Sequence, residues 1–173
     1  GIPYGPRARL LLLHLCSQAV MKQSPVVEVA DSFTAFARSL GLATTGRNLR
    51  TLREQVNRMA VVSMRWGRKT SEYVDVFQGP LFSKLRAEYP DDPDQLSLFS
   101  SYVEFSPEFF ESLMRHAVPL RMEAIGALKH SARALDIYCW LAHRLWRITG
   151  GPVVSIKWTT LRWQFGNREQ DLG

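Results

Sequence analysis

The segment from residue 46 to residue 69, GRNLRTLREQVNRMAVVSMRWGRK, constrains the fold of this 173-residue chain more than any other stretch. Projected at 100° per residue, residues 46–60 form a helix with a continuous apolar side and an opposite side that is mainly arginine. The apolar side consists of Leu49, Leu52, Val56, Met59 and Ala60. Because an apolar stripe has to be buried and a row of arginines has to stay solvated, the pattern predicts a helix that packs on a core along one face only.

Two alternating runs follow this helix. VVSMRW alternates apolar and polar residues, and EYVDVFQ does so again after the turn GRKTS. Period-2 alternation in two runs joined by a short Gly-containing turn is typical of a β-hairpin. We expect Arg68 and Lys69 at the tip of this hairpin.

The net charge of the chain is concentrated in the same segment. Residues 46–69 hold seven Arg or Lys and one Glu, a surplus of six, and the net charge of the whole chain is also +6. Such a local surplus favours an acidic partner, with nucleic acid first and an anionic lipid surface a distant second. The alternative is an ordinary solvated helix face, but such a face usually mixes Glu with Lys.

The elements before this segment complete a known order. The pattern predicts a helix from Pro6 to about Lys22, a strand over residues 26–29, and a second helix over residues 32–40 that ends at Gly41, before the turn GLATTG. Helix, strand, helix, short turn, basic helix and hairpin is the order of a winged helix-turn-helix.

Beyond the hairpin, residues 79–94 contain three Pro and an acidic cluster, which predicts a loop with at most one short helix. The pattern then predicts a strand in SSYVEFS, a helix in PEFFESLMRHA, a short helix around Ile125 and a longer helix from Ser131 to the glycines at residues 150–151.

The chain also repeats itself at a spacing of 125 residues. The order helix, strand, capped helix, Gly recurs, with Leu10 matching Leu135 and Gly41 matching Gly166. We therefore predict an α+β fold, mainly helical with small antiparallel hairpins, in a tandem winged-helix arrangement whose second copy is incomplete. The first domain is expected over residues 1–119, with the DNA-reading helix at about 46–60, the wing at about 61–78 and an acidic loop at 89–95. The second is expected over residues 120–173.

A helix of this kind lies in a DNA major groove about 12 Å wide, where Arg suits guanine edges or phosphates and Asn suits adenine. The N-terminal half of such a helix enters deepest. The base-edge candidates are therefore Arg47, Asn48, Arg50, Thr51 and Arg53. Farther along the helix the candidates are Asn57 and Arg58. On the hairpin, the candidates for the phosphate backbone or minor groove are Arg65, Arg68 and Lys69.

Several stretches resemble the plasmid replication initiators of the RepA type. They are GIPYGPRARLLLLHLCSQAV, FARSLGLATTG with RNLRTLREQVNRM, SPEFFESLMRHAVPLRMEAIGALKHSARALDIYCWLAHRL, and SIKWTTLRWQFG. The resemblance covers nearly the whole chain. It implies a protein with two winged-helix domains that binds repeated sites (iterons) at a plasmid origin, helps to melt it, recruits host replication proteins such as a helicase, and balances monomer against homodimer. The chain departs from this pattern in its second domain, where we expect the recognition helix to be missing.

The pentapeptide at residues 95–99 looks like the peptide by which bacterial replication proteins dock on the sliding clamp. Its polar anchor is Gln95, and its apolar side chains are Leu96, Leu98 and Phe99. The alternative is that these apolar residues lead into the strand SSYVEFS and pack on the core.

Other functions find little support. Cys139 and His143 have helical i, i+4 spacing, but one pair cannot complete a metal site, and no catalytic constellation or phosphate loop stands out. We expect no enzyme activity, no catalytic residue, no metal and no cofactor. The tryptophans at 140, 146, 158 and 163 are interpreted as packing of the second domain rather than as a platform for stacking bases.

No apolar run reaches the length of a membrane span, and Cys16 and Cys139 lie in helical, mostly apolar stretches. These features predict a cytoplasmic protein with reduced thiols and no membrane partner. The resemblance to plasmid initiators implies that the cytoplasm is bacterial. Two rival functions stay open. One is a transcriptional repressor or autoregulator with the same motif, and the other is a winged helix that docks on an acidic protein and never binds DNA.

Overall fold

The computed structural model describes residues 1–29, 35, 38, 42–43, 45–69, 74–86, 102–148, 153 and 155–166, without the side chains of 49, 53, 66–69, 74–75 and 77. It is an α+β structure with small antiparallel sheets, as predicted. The chain divides into two compact units, Gly1–Ala117 and Val118–Gly173. The predicted acidic loop and the pentapeptide lie outside the described residues. Of the predicted helix over residues 32–40, only Ala35 and Arg38 are described, and both are helical.

The first helix, α1 (Gly5–Lys22), has Pro6 in its first turn, where the missing N–H of proline removes no helical hydrogen bond. It ends at Gln23, whose left-handed backbone (φ 52°) lets its N–H donate to the carbonyl of Val20. One face is buried at Ala8, Leu11, Leu15 and Ala19. This helix confirms the prediction, apart from beginning one residue earlier.

The basic helix, α2 (Gly46–Ala60), packs against α1 through the face predicted to be apolar. Val56 and Met59 are buried in the core, and Leu52 and Ala60 pack against it half-buried. The helix begins after Thr45, which is extended.

The predicted hairpin is present as β2 (Ser63–Lys69) and β3 (Val74–Pro80), paired antiparallel from Ser63 opposite Pro80 to Lys69 opposite Val74. The turn of this hairpin was predicted too close to the N-terminus. The strand continues through Arg68 and Lys69, so these residues belong to the ladder rather than to the turn.

The prediction of a loop over residues 79–94 is wrong for its first part. Gly79 and Pro80 end β3, and the next strand, β4, runs over Phe82–Arg86. Between them, Leu81 donates its N–H to Val62 and accepts a hydrogen bond from the N–H of Ser106, which joins the hairpin to the main sheet. The sequence does not predict this strand, because a register shift between residues 82 and 84 interrupts the regular alternation of inward and outward side chains.

The main sheet has the order β1–β5–β4, with β1 at Val26–Glu28 and the central strand β5 at Tyr102–Phe105. Val27 and Val103 lie opposite each other and are fully buried. The Phe105 ring lies between those of Phe82 and Phe109, with centroid distances of 5.1 and 5.3 Å. Helix α3 (Pro107–His116) follows directly and closes the first unit.

The second unit contains α4 (Met122–Leu128), α5 (Ala132–Trp146) and α6 (Trp158–Phe165). The hydroxyl of Ser131 caps α5 by accepting the N–H of Ala134 at 3.2 Å. Among the described residues of this unit, Ile125 and Leu135 are buried. The repeat predicts a strand at residues 153–156, but Val153, Ser155 and Ile156 are not in a strand.

Among the described residues, no helix combines the length with the apolar character that a bilayer span requires.

Candidate nucleic-acid interface

The N-terminal half of α2 presents two arginines to solvent. Arg47 and Arg50 are both exposed, three residues apart and therefore on one side of the helix. Within the described part of the chain, neither guanidinium is in an ion pair. The first turn of α2 contains no acidic residue, so the partial positive charge of the helix N-terminus adds to that of the two cations.

The opposite face of α2 is anchored by a polar residue that the sequence analysis missed. Gln55 is only 1% exposed, and its Oε1 accepts the backbone N–H of Tyr4 at 3.1 Å. This bond ties the segment before α1 to the middle of α2. A signal was present in the sequence, because Gln55 projects at the edge of the apolar stripe.

Asn48, a predicted base-edge contact, is engaged inside the protein. Its Oδ1 accepts from a guanidinium nitrogen of Arg7 at 2.8 Å, and its Nδ2 donates to the carbonyl of Ala43 at 2.7 Å. Since both ends of the amide are used, Asn48 holds the start of α2 against α1 and Ala43. The structure therefore favours a positioning role for Asn48 over base contact. Thr51, another candidate, donates its hydroxyl to the carbonyl of Arg47 and is half-buried.

Arg58, another predicted contact, is engaged inside the protein. Its Nη2 and Nε lie 2.5 and 3.1 Å from the Glu54 carboxylate, and its guanidinium stacks 4.9 Å from the centroid of the Tyr4 ring. A third nitrogen lies 3.4 Å from the carbonyl of Ile2. The sequence could not show this, because the residues that hold Arg58 include the N-terminal segment, more than fifty positions away.

The remaining candidates are resolved to different degrees. Asn57 is exposed on α2, and Arg65 is exposed on β2 opposite Gln78. For Arg53, Arg68 and Lys69 the structure describes the backbone only. Arg47, Arg50 and Arg65 are thus the predicted contacts that the structure describes as exposed cations.

The two cysteines are free thiols, one in each unit. Burial raises the pKa of Cys16 to about 12. Burial, with a smaller effect from Asp136, raises the pKa of Cys139 as well. Both are therefore protonated at neutral pH, which makes them poor nucleophiles and poor metal ligands. No cluster of His, Cys, Asp and Glu that could hold a metal occurs among the described residues.

A sequence model of the family described as plasmid encoded RepA protein matches residues 2–163 of the chain. No curated protein and no solved structure matches it significantly. The family match spans nearly the whole chain and reaches into both compact units. The chain therefore belongs to the family of plasmid-encoded RepA proteins and is a plasmid replication protein.

Proposed function

We propose that this RepA protein is a replication initiator that binds repeated sites at its plasmid origin through the exposed face of α2, with the β2–β3 hairpin as a wing. One observation carries the proposal. Arg47 and Arg50 stand exposed on the N-terminal half of a helix whose other face is fixed in the core by Gln55, Val56 and Met59. Such a helix can enter a major groove as a rigid unit.

The chemistry of this face suits duplex DNA. A guanidinium can donate two parallel hydrogen bonds to the O6 and N7 of guanine, which is worth about 1–3 kcal/mol of discrimination. Gly46 leaves open space at the helix N-terminus, since a Cβ built there would meet no atom within 4 Å. Phosphate oxygens can approach the free N–H groups of this first turn. Arg65 on β2 adds a cation on the hairpin.

The test is duplex binding by the double variant Arg47→Ala/Arg50→Ala. The ligand is a fluorescent duplex that carries the repeats of the parent plasmid origin. We expect binding at least about 30-fold weaker, because two contacts of roughly 1 kcal/mol or more are lost. Arg115→Ala, which removes an exposed cation from α3 of the same unit, is the matched control and should bind normally.

Two outcomes would reject this assignment. Undiminished binding by the double variant, with its fold verified by circular dichroism, would place the DNA contact elsewhere. Absence of duplex binding by the wild-type chain would favour a winged helix that docks on an acidic protein. Plasmid maintenance distinguishes an initiator from a repressor. If the protein is an initiator, a plasmid that replicates from this origin should be lost with the double variant, whereas a plasmid with another origin should be maintained.

The tandem arrangement is part of the proposal. Shifting α1 (Gly5–Lys22) by the repeat spacing of 125 residues gives residues 130–147. Helix α5 (Ala132–Trp146) lies within this range. Recruitment of host helicase and a homodimer are expected from the family resemblance. Docking on the sliding clamp is expected from the pentapeptide at residues 95–99, whose alternative role is packing on the core.

A further inference from the structure

A stretch of the second unit combines cations with tryptophan and lacks carboxylates. Between Asp136 and Glu169 the sequence holds five Arg or Lys, no Asp or Glu, and four of the five tryptophans of the chain. The described part of this stretch includes most of α5 and all of α6. Its local charge is therefore wholly positive.

The tryptophans of this stretch do not pack as the sequence analysis predicted. Trp146, Trp158 and Trp163 are 63, 84 and 77% exposed. Trp140 is the exception, since its ring meets the ring of Phe165 edge-on at 5.6 Å. Exposed aromatic surface of this kind is costly in water and is typical of a binding site.

A cleft with a volume of about 270 Å³ lies along α5, beside Trp140. Its lining residues are Trp140, His143, Arg144, Arg147 and Ile148. The first four of these follow i, i+3, i+4, i+7 spacing and so share one side of the helix. The guanidinium carbon of Arg144 lies over the Trp140 ring, 5.5 Å from its centroid.

We propose that this cleft binds an unpaired base of single-stranded DNA together with its phosphate. A flat base can stack on an aromatic ring or on a guanidinium plane, and the cleft contains one group of each kind, in Trp140 and Arg144. Arg147 is exposed at the same cleft and can neutralise the phosphate. Each stacked base contributes roughly five- to a hundredfold in affinity, whatever its identity. Bases inside a duplex are already stacked on each other, so the duplex cannot use this surface in the same way.

Charge argues against a second copy of the chain as the occupant. Trp and Arg are also enriched in protein interfaces, so composition alone does not decide. A symmetric dimer through this cleft, however, would bring Arg144 and Arg147 of one copy against the same two cations of the other. A strand of DNA supplies the opposite charge.

The experiment measures binding of the full chain to a fluorescent oligothymidine, which cannot form a duplex with itself. We expect salt-sensitive binding that Arg144→Ala/Arg147→Ala weakens at least tenfold. The single variant Arg147→Ala leaves the Arg144–Trp140 contact intact and should weaken binding by a smaller factor. Arg121→Ala, which removes an exposed cation of the same unit outside the cleft, should have little effect.

This site does not rest on the function proposed for α2, and the test keeps the two apart. Arg47→Ala/Arg50→Ala should retain oligothymidine binding, and Arg144→Ala/Arg147→Ala should retain duplex binding. The proposal is overturned if the wild-type chain does not bind oligothymidine, if the cleft variants lose no more affinity than Arg121→Ala, or if they dissociate a dimer without changing oligothymidine binding. Tighter binding to oligouridine would overturn the choice of DNA over RNA.

Discussion

Replacing Glu54 by Gln should strengthen duplex binding and steepen its dependence on salt. Glu54 is the single acidic residue of the segment 46–69, is exposed on α2 and holds Arg58 in an ion pair. The substitution removes a negative charge from the surface proposed to face phosphates. It also removes the ion-pair partner of Arg58.

Two effects set the size of the gain. A carboxylate about 7 Å from a phosphate repels it by roughly 0.6 kcal/mol at the dielectric constant of water, and two such phosphates double this figure. If Arg58, without its ion-pair partner, gains one phosphate contact, the slope of log K against log salt becomes steeper by about 0.9. Together these effects predict about 1–2 kcal/mol at low salt, which is a five- to thirtyfold gain in affinity. Loss of the exposed Glu54–Arg58 pair should cost the fold less than about 1 kcal/mol.

The assay is a titration of the fluorescent origin duplex at several salt concentrations between about 50 and 200 mM. Glu111→Gln is the matched control, because it breaks the corresponding i, i+4 pair with Arg115 on α3 and changes the net charge equally. Equal gains by both variants would indicate a general effect of charge. If Glu54→Gln binds no more tightly than the wild type, with the same salt slope, the exposed face of α2 does not approach phosphates.

Acid should destabilise the first unit through His14, because burial, aided by Lys22, lowers the pKa of its imidazole from 6.5 to about 4. The stability that neutral His14 contributes is complete above about pH 6.5 and declines by roughly 1–3 kcal/mol as the pH falls toward 4. The urea midpoint of His14→Leu should therefore vary less with pH over that range than the midpoint of the wild type. Arg7→Ala removes the donor that holds Asn48, and it should weaken duplex binding about two- to fivefold with an unchanged circular dichroism spectrum. Phe105→Ala should lower the unfolding free energy of the first unit by about 3–5 kcal/mol in urea, and Phe105→Leu by much less.

The parts of the fold that local sequence determines were predictable. The burial of Val56 and Met59 follows from their 3.6-residue periodicity, and the β2–β3 pairing follows from the alternation of two neighbouring runs. The cap at Ser131 follows from the affinity of a hydroxyl for the free N–H groups of a helix start. In each case the interacting residues are near one another in sequence.

The features that failed depend on contacts between distant residues. Strand β4 exists because Phe82 pairs with Phe105 across a long connection, and its own sequence does not alternate. Arg58 projects on the polar side of α2 as predicted, but the N-terminal segment brings Tyr4 against it. Helical projection gives the side of a helix on which a residue lies and says nothing of what other segments place there. A prediction that α2 is exposed is thus more secure than a prediction that a given arginine on it is free.

The net charge of the chain conceals a second basic stretch. The surplus in residues 46–69 equals the net charge of the chain, so the remainder is balanced as a whole. Electrostatic interactions in physiological salt are screened over about 8 Å, which is far less than the extent of that remainder. A carboxylate-free stretch with five cations after Asp136 therefore generates its own field, although acidic residues elsewhere cancel it in the total. The two basic surfaces then differ in chemistry, since α2 contains no aromatic residue and the cleft on α5 includes Trp140. Arginine alone suits the closed duplex, whereas arginine with tryptophan suits an unpaired strand. The initiator proposed above would encounter both forms of the same DNA.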